Sequence, residues 1–315
     1  HEIFYTQDEI AAEISQARFK ETEKFIDLAS RVLANNSPKN INKITVINID
    51  NGIETFRSSV DREKLIRSVK LGPLSRDLIN YNIDTISFSD PITVKNEYLY
   101  PNFYWEIKPH LNTTFQPQER FFFWQLEALI QTQYAIKKGL YLNTEIGIDI
   151  TNNFEDYAYH ITDGELYHVR QNRRLYLTEG ESGLRRMSLE YLKDLHPNIK
   201  ARFSVGYLEW MYGGLGGEVI YMPDHKRWGF GIDGYWVKQR DYDQKFSFKD
   251  YQTFTGYLSY YQEIPFYNMR MKLSVGKFLA KDIGANIDIS RRFKSGARVG
   301  AFAALTDCSP ECVGE

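Results

Sequence analysis

The chain has 315 residues, enough for one large domain or two smaller ones, and a formal net charge of −2 at pH 7. This balance gives no bulk electrostatic case for binding nucleic acid. No run approaches the roughly 18 apolar residues that a transmembrane helix needs, so transmembrane helices are excluded. Aromatic residues make up 15% of the chain, which suits a soluble all-β protein or a barrel with aromatic girdles at two membrane interfaces.

Residues 1–95 have the composition of a water-soluble domain. The stretches Gln7–Ala17 and Ala17–Asn35 are predicted to be helices, the second because its apolar residues recur at helical spacing. The run Asn35-Asn36-Ser37-Pro38 then ends the second helix, since proline cannot continue it.

A β-hairpin is predicted next. The β-branched run Lys43–Ile49, the turn Asp50-Asn51-Gly52 and the return Ile53–Ser58 have the pattern of two paired strands. A further short helix is predicted to start at Ser59 or Asp61. Together these elements predict a small α+β domain that carries no set of catalytic residues.

In 96–315 the hydrophobic pattern becomes strict alternation at period two. In Pro265–Phe278, for example, Met269 and Met271 fall on one face while Arg270 falls on the other. Repeated strands of this kind, joined by turns, are the signature of an outer-membrane β-barrel, so we predict a mainly β fold with an antiparallel barrel of about 12 strands. Eleven candidate strands are visible: 99–115, 121–136, 139–151, 184–193, 199–211, 215–222, 227–239, 250–263, 266–278, 282–291 and 297–306.

The connections between these strands are alternately short and long. The short ones are Lys137-Lys138-Gly139, Asp194–Asn198, Pro223–Lys226, Ile264-Pro265 and Arg292–Gly296, and the others include 152–183 and Gln239–Asp250. Outer-membrane barrels keep their short turns in the periplasm, which would place the N-terminal domain there. Because these barrels have an even number of strands, we expect the barrel to be incomplete at residue 315. The chain starts at His1 without a signal peptide, so we expect it to be part of a longer precursor.

The polar face of the predicted strands carries charges of both signs. In a barrel lumen these side chains would pair across strands or contact water and solute. If this face contacted lipid, each basic side chain would cost about 2–4 kcal/mol at the membrane midplane. The alternation therefore indicates that the charged face is not the one that contacts lipid. The lumen-facing candidates are Glu106, Lys108, Glu127, Glu145, Arg186, Glu190, Lys200, Arg202, Asp233, Arg270, Lys272, Asp288 and Arg298.

Four segments carry a resemblance to a known family: Asn102–Leu111, Gly206–Gly217 (GYLEWMYGGLGG), Trp236–Asp241 (WVKQRD) and Ser290–Thr306. Together they resemble the YjbH-type family, also called the GfcD or WbfB family, of exopolysaccharide and capsule proteins in Gram-negative bacteria. The chain looks like the C-terminal part of such a protein. The resemblance implies an outer-membrane barrel acting in exopolysaccharide or group 4 capsule secretion and linked to biofilm formation. It implies no enzymatic activity and no catalytic residues.

The long connection 152–183 is rich in tyrosine and arginine, which suit stacking on sugars and contact with an anionic polymer. The candidate polysaccharide-contact residues are Tyr157, Tyr159, Tyr167, Arg170, Arg173 and Arg174. The alternative is a lid folded into the barrel or an ordinary surface loop.

The two cysteines, Cys308 and Cys312, leave two readings open. In an exported protein they could form a local disulfide, and otherwise they are two unpaired thiols. Their spacing supplies too few ligands for a zinc site. We predict no metal and no cofactor.

The expected partners are outer-membrane lipid, exopolysaccharide and other components of an export system, with no nucleic acid. Two other functions stay open. One is a general solute porin, and the other is a soluble β-rich carbohydrate-binding or hydrolytic protein. A hydrolase would need an acid pair in a cleft, and the sequence singles out no such pair.

Overall fold

The computed structural model describes residues 1–16, 19, 21–69, 72, 74, 76–81, 91–115, 122–154, 167, 169–170, 172–224, 226–293 and 295–308. The chain divides into two compact units. The first comprises His1–Tyr100, Lys193–Pro197 and Lys294–Ala297, and the second comprises Pro101–Leu192, Asn198–Phe293 and Arg298–Glu315. Among the described residues, no helix has the length and apolar composition needed to cross a membrane.

The first unit is a five-stranded sheet with helices. In chain order its elements are β1 (Glu2–Tyr5), β2 (Glu9–Ile14), α1 (Thr22–Asn36), β3 (Lys43–Asp50), β4 (Ile53–Asp61), α2 (Arg62–Val69), a 3₁₀ turn (Arg76–Leu78) and β5 (Ile92–Lys95). The strand order is β4-β3-β2-β1-β5. Strands β2 and β3 are parallel and are joined through α1, while the other pairs are antiparallel.

The core of this unit lies between the sheet and its helices. Phe25 and Ile26 of α1 are buried against Ile44 and Val46 of β3, and Leu65 of α2 joins the same cluster. The helical spacing of the apolar residues in α1 therefore matches the face that the helix buries.

The predicted helix Gln7–Ala17 is wrong, because its middle forms strand β2. Ile10 and Ala12 face the helical core, whereas Ala11 faces a second cluster with Ile47 and Ile49 on the other side of the sheet. A strand buried on both faces reads as a continuous apolar run, which periodicity cannot distinguish from a short helix.

The other helices and the hairpin predicted for this unit are confirmed. Helix α1 covers most of Ala17–Asn35, and β3 and β4 form the predicted hairpin. Its turn residues Asn51 and Gly52 both have positive φ angles of 47° and 83°, as a turn that follows the twist of two antiparallel strands requires. The carboxylate of Asp61 accepts a 2.9 Å hydrogen bond from the Lys64 amide and so caps the start of α2.

The second unit is built on one eleven-stranded sheet in which each strand pairs with its neighbour in the chain. Its strands are β6 (Asn102–Phe115), β7 (Phe122–Lys137), β8 (Leu140–Asn152), β9 (Gly183–His196), β10 (Ile199–Tyr207), β11 (Tyr212–Tyr221), β12 (Trp228–Arg240), β13 (Phe248–Ile264), β14 (Met269–Lys277), β15 (Ile283–Arg292) and β16 (Arg298–Thr306), with the short helix α3 (Arg173–Thr178) between β8 and β9. The predicted mainly β, antiparallel character is confirmed. Within the described residues the sheet is open, with β6 and β16 at its edges.

Alternate residues of this sheet lie in opposite surroundings. One face, here called the polar face, carries buried polar residues; the other, the apolar face, carries exposed aliphatic and aromatic residues. Neighbours in the same strand show the contrast: Leu258 is 61% exposed and Ser259 is 1% exposed, and Leu273 is 38% exposed where Ser274 is 4% exposed. In the middle of the sheet the polar face is thus the shielded one and the apolar face the exposed one, whereas the edge strand β16 is exposed on both faces.

Substitution of a core residue tests whether α2 buries the predicted face in the first unit. Replacing Leu65, which is 1% exposed, with alanine should lower the free energy of unfolding by about 2–5 kcal/mol, because it leaves a cavity. The adjacent Ile66 is 51% exposed, so Ile66→Ala is the control and should change it by about 0.5 kcal/mol or less. Urea unfolding followed by far-UV circular dichroism measures both variants, and equal effects would contradict this arrangement of α2.

Candidate functional site

The candidate site is the polar face of the eleven-stranded sheet together with the α3 segment, here defined as residues 172–182. The register of β6–β9 pairs Glu127 with His110 and Glu145 with Arg186, and the register of β10–β16 pairs Glu218 with Arg202. All thirteen charged candidates lie on the polar side within these two groups of strands. Whether that side faces a lumen stays a prediction.

Several charges of the polar face pair with an opposite charge on a neighbouring strand. Arg202 Nε lies 3.0 Å from a Glu218 oxygen, and Arg298 Nη2 lies 3.3 Å from Asp288 Oδ1. Asp288 is also the register partner of Lys272. These pairs are partly exposed, so each contributes little to stability. They leave the face polar and nearly balanced in charge.

The α3 segment packs on the polar face through Tyr176. This side chain is fully buried with Met211, Tyr212, Val237 and Tyr251. Its hydroxyl donates a 2.6 Å hydrogen bond to the carbonyl oxygen of residue 240. Burial raises the pKa of the Tyr176 phenol well above its ordinary value, because the phenolate would lose its hydration. The hydroxyl therefore stays a proton donor at physiological pH.

The residue whose carbonyl accepts this bond, Arg240, has a buried side chain. Its guanidinium is 0% exposed and donates to the carbonyl oxygens of Glu209 at 2.9 Å, Gln244 at 2.9 Å and Lys245 at 3.0 Å. It also lies 4.8 Å from the centroid of the Tyr207 ring. Carbonyl dipoles and an aromatic face thus solvate the charge, which forms no ion pair with a carboxylate among the residues that the structure describes.

A second arginine, Arg185, links the end of the α3 segment to β7. Its Nη2 lies 2.8 Å from the Glu127 carboxylate, and its Nη1 donates to the Gly180 carbonyl at 2.8 Å and to Gln244 Oε1 at 2.6 Å. Glu127 is 3% exposed and its other oxygen lies 2.8 Å from His110 Nδ1. Because this carboxylate is desolvated, its two partners are needed to compensate it.

The described part of the loop 152–183 folds onto the sheet. The Tyr167 ring stacks on Tyr251 at 3.6 Å, its hydroxyl donates to Gln239 Oε1 at 2.7 Å, and burial raises the pKa of the Tyr167 phenol. Arg170 lies 2.8 Å from the Glu209 carboxylate, and the Arg173 guanidinium lies 5.7 Å from the Trp210 ring.

The described loop residues thus contact the sheet, and whether the loop is a lid inside a barrel stays a prediction. Arg174 belongs to α3 and is half-buried, while Tyr157 and Tyr159 lie outside the described residues. Contact of this loop with polysaccharide stays a prediction.

The structure describes part of the chain that bears on the cysteine pair and on a possible metal site. Cys308 is disulfide-bonded, and Cys312 lies outside the described residues. In the part of the chain that the structure describes, no group of three His, Cys, Asp or Glu side chains is placed to hold a metal ion.

Sequence reasoning missed Tyr176, Arg185, Arg240 and Gln244, which together fix the α3 segment. Their partners are main-chain carbonyls and side chains far along the chain, so no local spacing shows them. One signal was present: the segment Trp236–Asp241, on which the resemblance partly rests, contains Arg240. Another of the four segments that carry the resemblance, Gly206–Gly217, contains Glu209, Met211 and Tyr212.

Removal of the Tyr176 hydroxyl tests the anchoring of α3. Tyr176→Phe should cost about 1–2 kcal/mol of local stability, because it leaves a buried carbonyl without its donor. Hydrogen exchange of the α3 amides should then become faster. Tyr134→Phe on the exposed face of β7 is the control and should leave that exchange unchanged. Unaltered exchange in Tyr176→Phe would show that this hydrogen bond does not hold the segment.

Comparisons with known proteins identify relatives of the whole chain. A model of the YjbH family, described as "Exopolysaccharide biosynthesis protein YbjH", matches residues 1–315. A relative from Escherichia coli (strain K12), named "Uncharacterized lipoprotein YjbH", is 28% identical over 307 residues, which are 95% of this chain and 44% of the relative. The chain thus spans less than half the length of that relative. No solved structure matches the chain.

Proposed function

The chain belongs to the YjbH exopolysaccharide biosynthesis family, and from this membership we propose that it is an outer-membrane β-barrel protein of exopolysaccharide or capsule secretion. Its apolar face contacts lipid and its polar face lines the interior. The first unit lies in the periplasm. The protein acts without enzymatic activity, by binding and guiding the polymer, and thereby contributes to biofilm formation.

The inverted burial of the sheet carries this proposal. In water, leaving side chains such as Leu258, Phe203 or Ile232 exposed forgoes about 1.5–3 kcal/mol each relative to burying them. Phe203 and Leu258 each precede a shielded serine, Ser204 and Ser259, so in each pair the polar residue occupies the shielded face and the apolar residue the exposed one. In a bilayer the arrangement is the favourable one, because the lipid takes the apolar face.

The lengths of the elements agree with a membrane-spanning role. The strands run from 9 to 17 residues, and about 9–11 residues in a tilted strand span the apolar core of a bilayer. Turns on one edge of the sheet are short, as between β7 and β8, whereas the connection between β8 and β9 is long. The described sheet has eleven strands, whereas closed barrels of this class have an even number.

The relative supports an envelope location. Its printed name calls it a lipoprotein, and lipid-anchored proteins of Gram-negative bacteria are held at a membrane surface. The proposed partners are therefore outer-membrane lipid, the exopolysaccharide and other members of the secretion system.

A charge placed on the apolar face separates a membrane barrel from a soluble sheet. Leu258→Arg near the middle of β13 should destabilise a barrel in lipid by about 2–4 kcal/mol, because the guanidinium would face hydrocarbon. In a soluble protein the same exposed substitution would change stability little. The measurement is heat-modifiable migration and urea unfolding in lipid vesicles.

Gln262→Arg is the matched control, since it lies on the same strand and face but near the strand end, where the cost falls to about 0–1 kcal/mol. If both variants fold equally well, or if the wild-type protein fractionates without detergent, the proposed membrane location is wrong.

Conductance tests the general-porin alternative. Because the α3 segment occupies part of the polar face, we expect the wild-type protein in planar bilayers to give little steady current. A large, ohmic current from the wild-type protein would favour a solute porin if cells that lack the protein still secrete the polymer normally. Secretion that is lost on deletion and restored by the wild-type gene supports the export role.

A further inference from the structure

A basic residue, Arg291, lies on the apolar face of the sheet. Its register partners are Met269 on β14 and Val299 on β16, and Ile289 precedes it on the same face of β15. Arg291 is the second-to-last residue of β15. It therefore lies at the end of the strands where β13 joins β14 and β15 joins β16, here called the short-turn end. Arg291 is exposed, and the alternation of polar and apolar residues does not account for its charge on this face.

Two aromatic rings flank the guanidinium group of Arg291. Its Cζ lies 5.1 Å from the centroid of the Tyr267 ring and 4.7 Å from the centroid of the Phe293 ring. Both aromatic residues are exposed, Tyr267 at 71%. Cation–aromatic contacts orient a guanidinium group without neutralising its charge. Since Arg291 is itself exposed, the rings orient a charge that a molecule outside the protein can still contact.

Arg291 forms no ion pair with any residue that the structure describes. Basic residues of the polar face near the same end do form them: Arg270 Nη2 lies 3.0 Å from Glu263 Oε1, and Arg298 Nη2 lies 3.3 Å from Asp288 Oδ1. A basic group that faces lipid is costly unless it meets an anionic partner or reaches the interface. For Arg291 an anionic partner has to come from outside the described chain.

A second cation, Lys137, has a similar position at the short-turn end. It closes β7, and after a bulge it is the register partner of Leu140, the first residue of β8. Its Nζ lies 5.8 Å from the centroid of the Tyr191 ring, which is exposed and pairs with Leu140 from the other side. Within the described residues Lys137 likewise has no carboxylate at ion-pair distance. Two cations on well-separated strands therefore give this end of the apolar face a positive charge.

Aromatic side chains occupy the same end of the apolar face on the strands between these two cations. The ring of Trp228 lies 6.1 Å from that of Tyr221 and 5.5 Å from that of Phe230, and Phe230 in turn lies 5.3 Å from Tyr260. Tyrosine and tryptophan are enriched where a membrane protein meets the lipid headgroups. Long basic side chains at this depth reach the headgroups while their stems stay against apolar surface. The row of rings thus places Arg291 at the level of lipid phosphates.

The backbone at Tyr267 supports a contact made outside the protein. The Met269 amide donates a 3.3 Å hydrogen bond to the Phe266 carbonyl, and the two residues between them, Tyr267 and Asn268, have φ angles of 58° and 53°. Asparagine and glycine adopt this left-handed conformation readily, whereas a bulky residue does so at a cost. The turn alone would therefore favour asparagine or glycine at 267, and the exposed tyrosine indicates a use for its ring.

We propose that Arg291, held between Tyr267 and Phe293, binds the phosphate of a net-anionic glycerophospholipid in the leaflet at the short-turn end. The planar guanidinium donates to two phosphate oxygens, and the two rings lie against the glycerol region of the lipid. A zwitterionic headgroup carries an ammonium group beside its phosphate, which the cations at this end repel, so a net-anionic lipid is favoured. This inference rests on the proposed function, in which the apolar face contacts lipid and the short turns lie in the periplasm.

Lipid binding by the intact protein tests this site. The protein in detergent is titrated with phosphatidylglycerol or with phosphatidylcholine of the same acyl chains, and native mass spectrometry gives the dissociation constant of the first bound lipid. We expect phosphatidylglycerol to bind more tightly. Arg291→Gln should weaken its binding about fivefold, the effect of one basic residue near a headgroup. Arg292→Gln is the matched control, because it removes the same charge from the next residue, which lies on the opposite face.

Two further variants separate a lipid contact from a structural role. Tyr267→Asn suits the positive φ, so its urea midpoint should equal or exceed that of wild type, while its affinity for phosphatidylglycerol falls about two- to fivefold. Arg291→Lys keeps the charge but loses the planar fork, so its affinity should lie between those of wild type and Arg291→Gln. If Arg291→Gln does not fold, the titrations of these two variants decide the question.

Three results would overturn the site. They are equal affinities of wild type for the two lipids, unchanged binding in Arg291→Gln, and an equal loss in Arg292→Gln. Tighter binding of lipid A than of phosphatidylglycerol, weakened by Arg291→Gln, would reject the choice of a phospholipid. If wild type still needs detergent and shows heat-modifiable migration, any of these rejects the site and leaves the proposed function standing. A wild-type protein that fractionates without detergent would instead reject the proposed function.

Discussion

The constraint on which the second unit depends is that each strand places polar and apolar residues on opposite faces, with the polar face shielded. A period of two cannot be shifted by one residue without moving every side chain to the other face. The register of β10–β16 is continuous from Arg202–Glu218 through Lys272–Asp288. Ion pairs and serine pairs on one side and aliphatic residues on the other therefore specify one pairing among neighbours.

Within that constraint, two arginines determine how the α3 segment is held. Arg240 is surrounded by carbonyl oxygens and one aromatic ring, whereas Arg185 meets a buried carboxylate. Removing one partner of such a buried charge leaves an uncompensated ion, which destabilises far more than the pair itself stabilises. The arginines thus contribute to a single defined position of the segment more than to overall stability. The carbonyl oxygens and side-chain acceptors on the polar face are what allow these guanidinium groups to be buried there.

The strands of the second unit were predictable because alternation is a local pattern that needs no partner to be visible. The eleven strands were all found, although the structure extends β9 to His196 and starts β14 only at Met269. The helix predicted at Gln7–Ala17 failed for the opposite reason, since β2 is buried on both faces and shows no alternation. The alternation indicates that charged candidates such as Glu127 share one face, but the role of Glu127 as the partner of Arg185 depends on a contact 58 residues away in the chain. Spacing carries no information about such contacts.

Three glycines on the polar face of the sheet, Gly216, Gly231 and Gly276, are covered by tyrosine rings. A glycine inside a strand weakens it, because it loses more backbone freedom and packs no side chain. Gly216 tolerates this because the Tyr235 ring lies over it, with that tyrosine packed against the cluster around Tyr176. Gly231 and Gly276 are covered in the same way by tyrosines of β13, but no described side chain of the α3 segment packs on those rings. The same glycine–tyrosine arrangement therefore supports the folded segment at one end of β12, whereas further along the sheet Phe278 packs against the Tyr257 ring and Lys272 lies over the Tyr261 ring.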